Sequence, residues 1–121
     1  MLRCCAVVAI VGLLLGGLVY AEKEFATRAF VVSCDAKTKT ITIRHTDDNG
    51  KWTQSVATWD DKTEWERADT EATQYSPKPA TAALAGELKK DSKVYITISD
   101  RGGPKLWVLK VRLLPPSAEV K

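Results

Sequence analysis

The 121-residue sequence is short of the side chains that most often carry chemistry. It holds three cysteines, one methionine and one histidine. So few soft ligands argue against a copper-type metal site, which draws on Met, Cys and His together. Charge of one sign is also lacking. Eighteen basic residues face fifteen acidic ones, a net charge of +3, which excludes a strongly basic nucleic-acid binder. Seven glycines and five prolines are too few for a collagen-like or low-complexity chain. No Gly-x-Ser-x-Gly, His-Glu-x-x-His or phosphate-loop motif occurs, so the corresponding hydrolase and nucleotide-binding chemistries have no sequence anchor. The length allows one domain.

One long apolar run is present, at the start. Met1-Leu2-Arg3 is basic, Cys4 to Tyr20 carries no charge, and Val19-Tyr20-Ala21 supplies small residues for a cut after Ala21. That is the layout of a secretory signal peptide over residues 1–21, with Ala21 as the cleavage position. An uncleaved membrane anchor is the rival reading, since the run approaches the length of a spanning helix. No cysteine follows the run, so a lipoprotein signal is excluded. Removing residues 1–21 takes away Arg3, Cys4, Cys5 and Met1, leaving 100 residues, a charge of +2 and the single Cys34. No internal disulfide is then possible. Cys34 is expected to be a small buried hydrophobe, with a reactive or intermolecular thiol as the alternative.

Strand patterns dominate the remainder. Arg28–Cys34 and Thr40–His45 flank a four-residue turn at Ala36–Lys39. Pairing Asp35 with Thr40 predicts Phe30, Val32, Cys34, Ile41 and Ile43 on one buried face. Asn49-Gly50 marks a second turn. Lys51–Trp59 is the third strand, with Trp52 and Val56 on one parity and Ala57 and Trp59 on the other; a bulge would reconcile them. Asp60–Ala80 reads as irregular. A short helix follows, with Thr81 as its cap and Leu84 and Leu88 on one face. Val94–Ile98 and Lys105–Leu114 complete the set. In the last strand Trp107, Leu109, Val111 and Leu113 alternate with Val108, Lys110 and Arg112. Three strands, a helix and two strands predict an all-β fold with one short helix, a five-stranded OB-like Greek-key barrel. Its span is residues 28–114, preceded by an N-terminal arm at 22–27 and followed by a tail at 115–121.

Six segments run in a suggestive order: Phe30-x-Val-x-x-Asp35, Thr40-Ile-Thr-Ile43, Asp60-x-x-Thr63, Ala83-Leu84 with Leu88-Lys89, Val94-x-Ile-x-Ile98, and Gly102-Gly103 leading into Leu106–Val111. In that order they resemble a family of small bacterial exported OB-like domains of unassigned function. The resemblance covers about residues 29–114 and implies fold and export, not an activity. Where the family has Gly-Asp, this chain has Asp91-Ser92, so a left-handed turn position falls to an aspartate.

No catalytic constellation is expected, and no cofactor. The expected register sets Cys34 and His45 at opposite ends of a hairpin, about 13 Å apart, too far for a thiol dyad or a shared ion. His45 reads as a strand-end residue near solvent. The acidic stretch Asp60–Glu71 lacks calcium-loop spacing and reads as a solvated loop. Charge is uneven, at −4 over Asp60–Glu71 and +5 over Lys89–Lys121. Arg44, Lys51, Trp52 and Trp59 lie on or beside strands two and three and form the candidate ligand surface; a core role for the tryptophans competes with it. Tyr95, Thr97, Leu106 and Val108 form a second, semi-apolar surface. The expected function is an exported, non-enzymatic binding module of the bacterial envelope, periplasmic or secreted. Its partner would be an envelope protein, a peptide or a glycan, nucleic acid being disfavoured by charge and compartment. Membrane contact is expected only through a retained signal anchor, and the chain is expected to be a monomer. The alternatives are a structural or accessory envelope protein and a periplasmic metal carrier.

Overall fold

The structure, a computed structural model, describes residues 23–120; the expected signal peptide and the expected cut after Ala21 lie outside them. Seven strands form one sheet: β1 (Glu24–Asp35), β2 (Thr40–Thr46), β3 (Trp52–Thr58), β4 (Glu64–Arg67), β5 (Lys78–Ala80), β6 (Lys93–Ser99) and β7 (Trp107–Leu113). A single 3₁₀ helix, Ala82–Glu87, precedes β6. Among the described residues the fold is therefore β-rich with one short helix, as expected, but with seven strands in one sheet rather than five. The two extra strands lie in the segment read as irregular. They are short, and Pro79 hides one of them from pattern reading.

The sheet order is β3-β2-β1-β6-β7-β4-β5. All neighbours are antiparallel except β7 and β4, which run parallel. One further parallel pairing joins Thr58 of β3 to Trp107 of β7, fixed by the Thr58 N–H donating to the Leu106 carbonyl at 3.0 Å. Strand β1 spans both halves of the sheet. Glu24–Phe30 pair with β6, and Phe30–Asp35 pair with β2. The residues expected as an N-terminal arm thus belong largely to a strand that starts at Glu24.

The β1–β2 register begins as expected, with Asp35 opposite Thr40 and Cys34 opposite Ile41. It then slips at Val32, because Ser33 faces Thr42 while Val31 faces Ile43. A one-residue slip reverses every side chain beyond it. Ala29 and Val31 become fully buried, and Phe30 turns to the outer face instead of the core. Strand β3 has no such irregularity. Its inward parity is that of Ala57 and Trp59, while Trp52 and Val56 are 48% and 57% exposed. The expected bulge in β3 is absent, and Trp52 and Val56 simply face outward; the irregularity lies in β1 instead. A second slip, between Thr97 and Ile98, leaves Leu109 as the extra residue on β7. It buries Val108 along with Val111, which removes Val108 from the expected outer patch.

The core gathers Val31, Ile41, Ile43, Val94, Ile96, Ile98, Val108 and Val111 from the strands. Leu84 and Ala85 of the helix cover it, together with Leu88, the extended residue that ends the helix. The Thr81 hydroxyl accepts from the Ala83 N–H at 3.3 Å and caps that helix. Trp59 and Trp65 meet edge to face, with ring centroids 5.4 Å apart at 89°. Asp91 holds φ at +71°, in the left-handed region expected of it. Gly50 holds φ at +78° in the Asn49-Gly50 turn, where the Asp47 carboxylate accepts from the Asn49 and Lys51 amides at 2.8 and 2.9 Å.

Candidate functional site: an arginine against two rings

The slip at Val32 builds the most distinctive surface of the molecule. Phe30 of β1, Arg44 of β2 and Trp52 at the start of β3 share the outer face. The Arg44 guanidinium carbon lies 5.0 Å from the Phe30 ring centre and 4.9 Å from that of Trp52. The two rings are 6.0 Å apart and tilted by 34°. Both ring faces are electron-rich, so the cation is held by two quadrupoles at once. Lys93, directly across from Phe30 on β6, brings its ammonium to 6.0 Å of the same ring.

Arg44 differs from the other arginines among the described residues. Arg67 pairs with Asp69 and Glu87, Arg101 with Asp60, and Arg112 with Glu66. The Arg28 guanidinium donates to the Glu119 carbonyl. Among the described residues no carboxylate pairs with Arg44, and its contacts are to rings alone. Rings leave the N–H edge of a guanidinium free, and that edge is the fork that reads carboxylate, phosphate or amide oxygens.

Of the four expected site residues, Arg44 and Trp52 therefore meet in one stack. Lys51 is exposed at the adjoining turn, its amide tied to Asp47. Trp59 belongs to the core at 4% exposure and takes no part in this surface. Phe30 and Lys93 were missed. Strict alternation put Phe30 inside, and only a bulge signal at Val32 would have revealed it. The C-terminal tail borders the same surface: the Lys93 ammonium donates to the Pro116 and Ala118 carbonyls, the latter at 2.7 Å.

His45 was expected near solvent and is instead 6% exposed. It points inward because it shares parity with Ile41 and Ile43. Its Nδ1 lies 3.1 Å from the Thr46 carbonyl and its Nε2 lies 2.8 Å from the Ser55 hydroxyl. A carbonyl only accepts, so Nδ1–H donates to it, and in the neutral ring Nε2 accepts from Ser55. Phe25 packs on the imidazole with centroids 5.7 Å apart. This is the hydrogen-bond satisfaction a buried imidazole requires. A cleft of about 450 Å³ opens beside it, lined by Phe25, Thr27, His45 and Asp47 among others.

Cys34 is half-buried at the edge of the core. Burial, and then the neighbouring Asp35 carboxylate, push its thiol above the usual range, which lowers the thiolate fraction and so its reactivity. Among the described residues no cluster of three metal-ligating side chains occurs.

The acidic stretch is solvated as expected at Asp61, Glu64 and Glu71, but not throughout. Asp60 pairs with Arg101 at 2.9 Å, and Glu66 takes Lys110 at 3.2 Å and Arg112 at 2.8 Å. The two regions of opposite charge are thus joined across the β4–β7 pairing, where Glu66 faces Arg112. Two of the six acids, Asp60 and Glu66, thus meet cations of the basic region. Burial raises the Glu66 carboxyl, but the hydrogen bonds and charges of Arg112 and Lys110 outweigh it and hold the carboxyl below the usual range. The Asp60 carboxyl is lowered chiefly by its hydrogen bond from Arg101.

Comparison with protein-family models, curated proteins and solved structures finds no match to the chain.

Proposed function

We propose that this chain is an exported, non-enzymatic binding module of the bacterial envelope, with the Phe30–Arg44–Trp52 stack as its ligand surface. The observation that carries this reading is the state of Arg44. A guanidinium held against two rings, with no carboxylate partner among the described residues, is preorganised to take an anionic or amide oxygen. The exposed faces around it suit a peptide or glycan that offers an apolar surface beside such an oxygen. The signal-like start of the sequence supports an envelope location.

The same reading takes the sheet as an OB-like Greek-key barrel. In support, β1 lies between β2 and β6, β7 lies beyond β6, and β3 meets β7 at Thr58 and Trp107. In such barrels the outer face of the second and third strands, which carry Arg44 and Trp52 here, is the usual docking surface. On this view β4 and β5 are additions along the outside of β7.

The test is titration of the isolated protein with envelope-derived peptides and glycan fragments, followed by amide and tryptophan indole shifts. The expected result is a shift cluster at Phe30, Arg44 and Trp52, with binding lost in a folded Arg44→Ala protein. A ligand that binds Arg44→Ala and wild type equally well would remove the stack from consideration.

A further inference from the structure

The two ends of the sheet are treated differently. At one end β5 is three residues long and carries Lys78 and Pro79, both of which discourage a further strand from adding. At the other end β3, Trp52–Thr58, reads Trp-Thr-Gln-Ser-Val-Ala-Thr, with no charge and no proline. It is exposed at Trp52, Gln54 and Val56. Among the described residues, its pairing beyond β2 is limited to the single Thr58–Trp107 contact.

The backbone groups on that open edge can be assigned. The Trp59 N–H donates to the Lys39 carbonyl, toward β2, while the Thr58 N–H donates the other way, to Leu106. Directions alternate along a strand. Val56, Gln54 and Trp52 therefore share the direction of Thr58 and present N–H and C=O groups away from β2. The same three residues carry the outward side chains.

We infer that β3 is a self-association edge, joining a second copy of this chain across a two-fold axis at Gln54. An antiparallel pairing of Gln54 with Gln54 of the second copy sets Trp52 of each against Val56 of the other. All three pairs are hydrogen-bonded pairs, each exchanging two N–H···O=C bonds. Aromatic against β-branched is a favoured cross-strand combination, and it occurs twice by symmetry. An uncharged edge calls for an uncharged partner strand, and β3 itself meets that need without like charges in contact. The pairing is isologous, so it closes as a dimer and leaves no β3 edge to propagate. The outer faces of the two copies become continuous, and two Arg44 stacks lie on one surface. A two-strand junction is small against a standard interface, so the association is weak and concentration-dependent. The inference does not rest on the proposed ligand surface.

Charge placed on the axis tests it. In Gln54→Lys or Gln54→Glu, two like charges would meet at the two-fold, while the exposed side chain leaves the fold intact. Sedimentation equilibrium of the protein as isolated from the cell should show a mass rising toward twice the monomer with concentration. Each variant alone should remain at monomer mass, and an equimolar mixture of the two should associate again. In a Cys34→Ser background, Gln54→Cys should cross-link to itself on air oxidation, since about 5.5 Å separates hydrogen-bonded Cα partners. Thr42→Cys, an outward position one strand away, should not. Wild type that stays monomeric at every concentration overturns the inference. So does a dimer that the Lys and Glu variants leave unchanged, or an edge that takes only foreign peptide.

Discussion

Thr63 offers a case where polarity should beat hydrophobicity in a buried place. It is 8% exposed. Its hydroxyl donates to the Val108 carbonyl at 2.7 Å and accepts from the Asp60 N–H at 3.1 Å. The Asp60-x-x-Thr63 turn is thereby clamped to β7. Thr63→Val keeps the shape and replaces the hydroxyl with a methyl. The Val108 carbonyl, on a fully buried residue, loses a donor at a cost of about 1–3 kcal/mol. The Asp60 N–H is nearer solvent and loses about 0.5–1 kcal/mol. The extra buried methyl returns about 0.8 kcal/mol. The net loss is about 1–3 kcal/mol, a large part of the roughly 5–15 kcal/mol that holds a domain folded. Thr63→Ser keeps both hydrogen bonds and gives up one methyl, about 1 kcal/mol. Urea unfolding at constant m-value measures both. The expected order of midpoints is wild type, Thr63→Ser, Thr63→Val. A Thr63→Val midpoint at or above that of Thr63→Ser would refute the reasoning, because burial alone would then explain the site.

Glu66 should make stability depend on pH. Its folded carboxyl is lowered, so the contribution is complete above the ordinary glutamate range and is lost as pH falls through the folded value; Glu66→Gln should flatten the acid limb of a stability–pH curve, and an unchanged limb would count against the Lys110–Arg112 clamp. Asp91→Gly should be neutral or raise the unfolding free energy by up to about 1 kcal/mol, since glycine reaches φ near +71° without a Cβ clash; Asp91→Ala should lower it. Leu84→Ala should cost about 2–5 kcal/mol by opening a cavity under the helix, measured in the same assay. Phe30→Ala should destabilise much less than Val31→Ala, because Phe30 lies outside and Val31 inside; the reverse order would contradict the slip at Val32.

Much of the plan was legible. The turns at Ala36–Lys39 and Asn49-Gly50, the capped helix after Thr81, the inward face of Val94–Ile98 and the left-handed Asp91 all follow from local rules. Periodicity reads these well because each depends on neighbours in sequence. The candidate site was half legible. Arg44 and Trp52 were found from their position on strands two and three, while Trp59 was misassigned and Phe30 missed. Both errors concern which face a residue takes. That choice depends on register, and one extra residue at Val32 or Leu109 reverses it without leaving a compositional mark. The pairing of the acidic stretch with Lys110 and Arg112 was equally hidden, since it joins residues more than forty positions apart.

The sequence by itself determined that this is a strand-rich chain with one short helix, few soft ligands and a signal-like start. Those properties follow from composition and from patterns a few residues long. Only the tertiary structure decided that Phe30 faces out beside Arg44, that His45 is buried against Ser55, and that the β3 edge stands open while the β5 edge is blunted. Each of these is a matter of which strands meet and in what register. That is settled by packing of the whole core, where Ala29, Val31, Val108 and Val111 fill the interior.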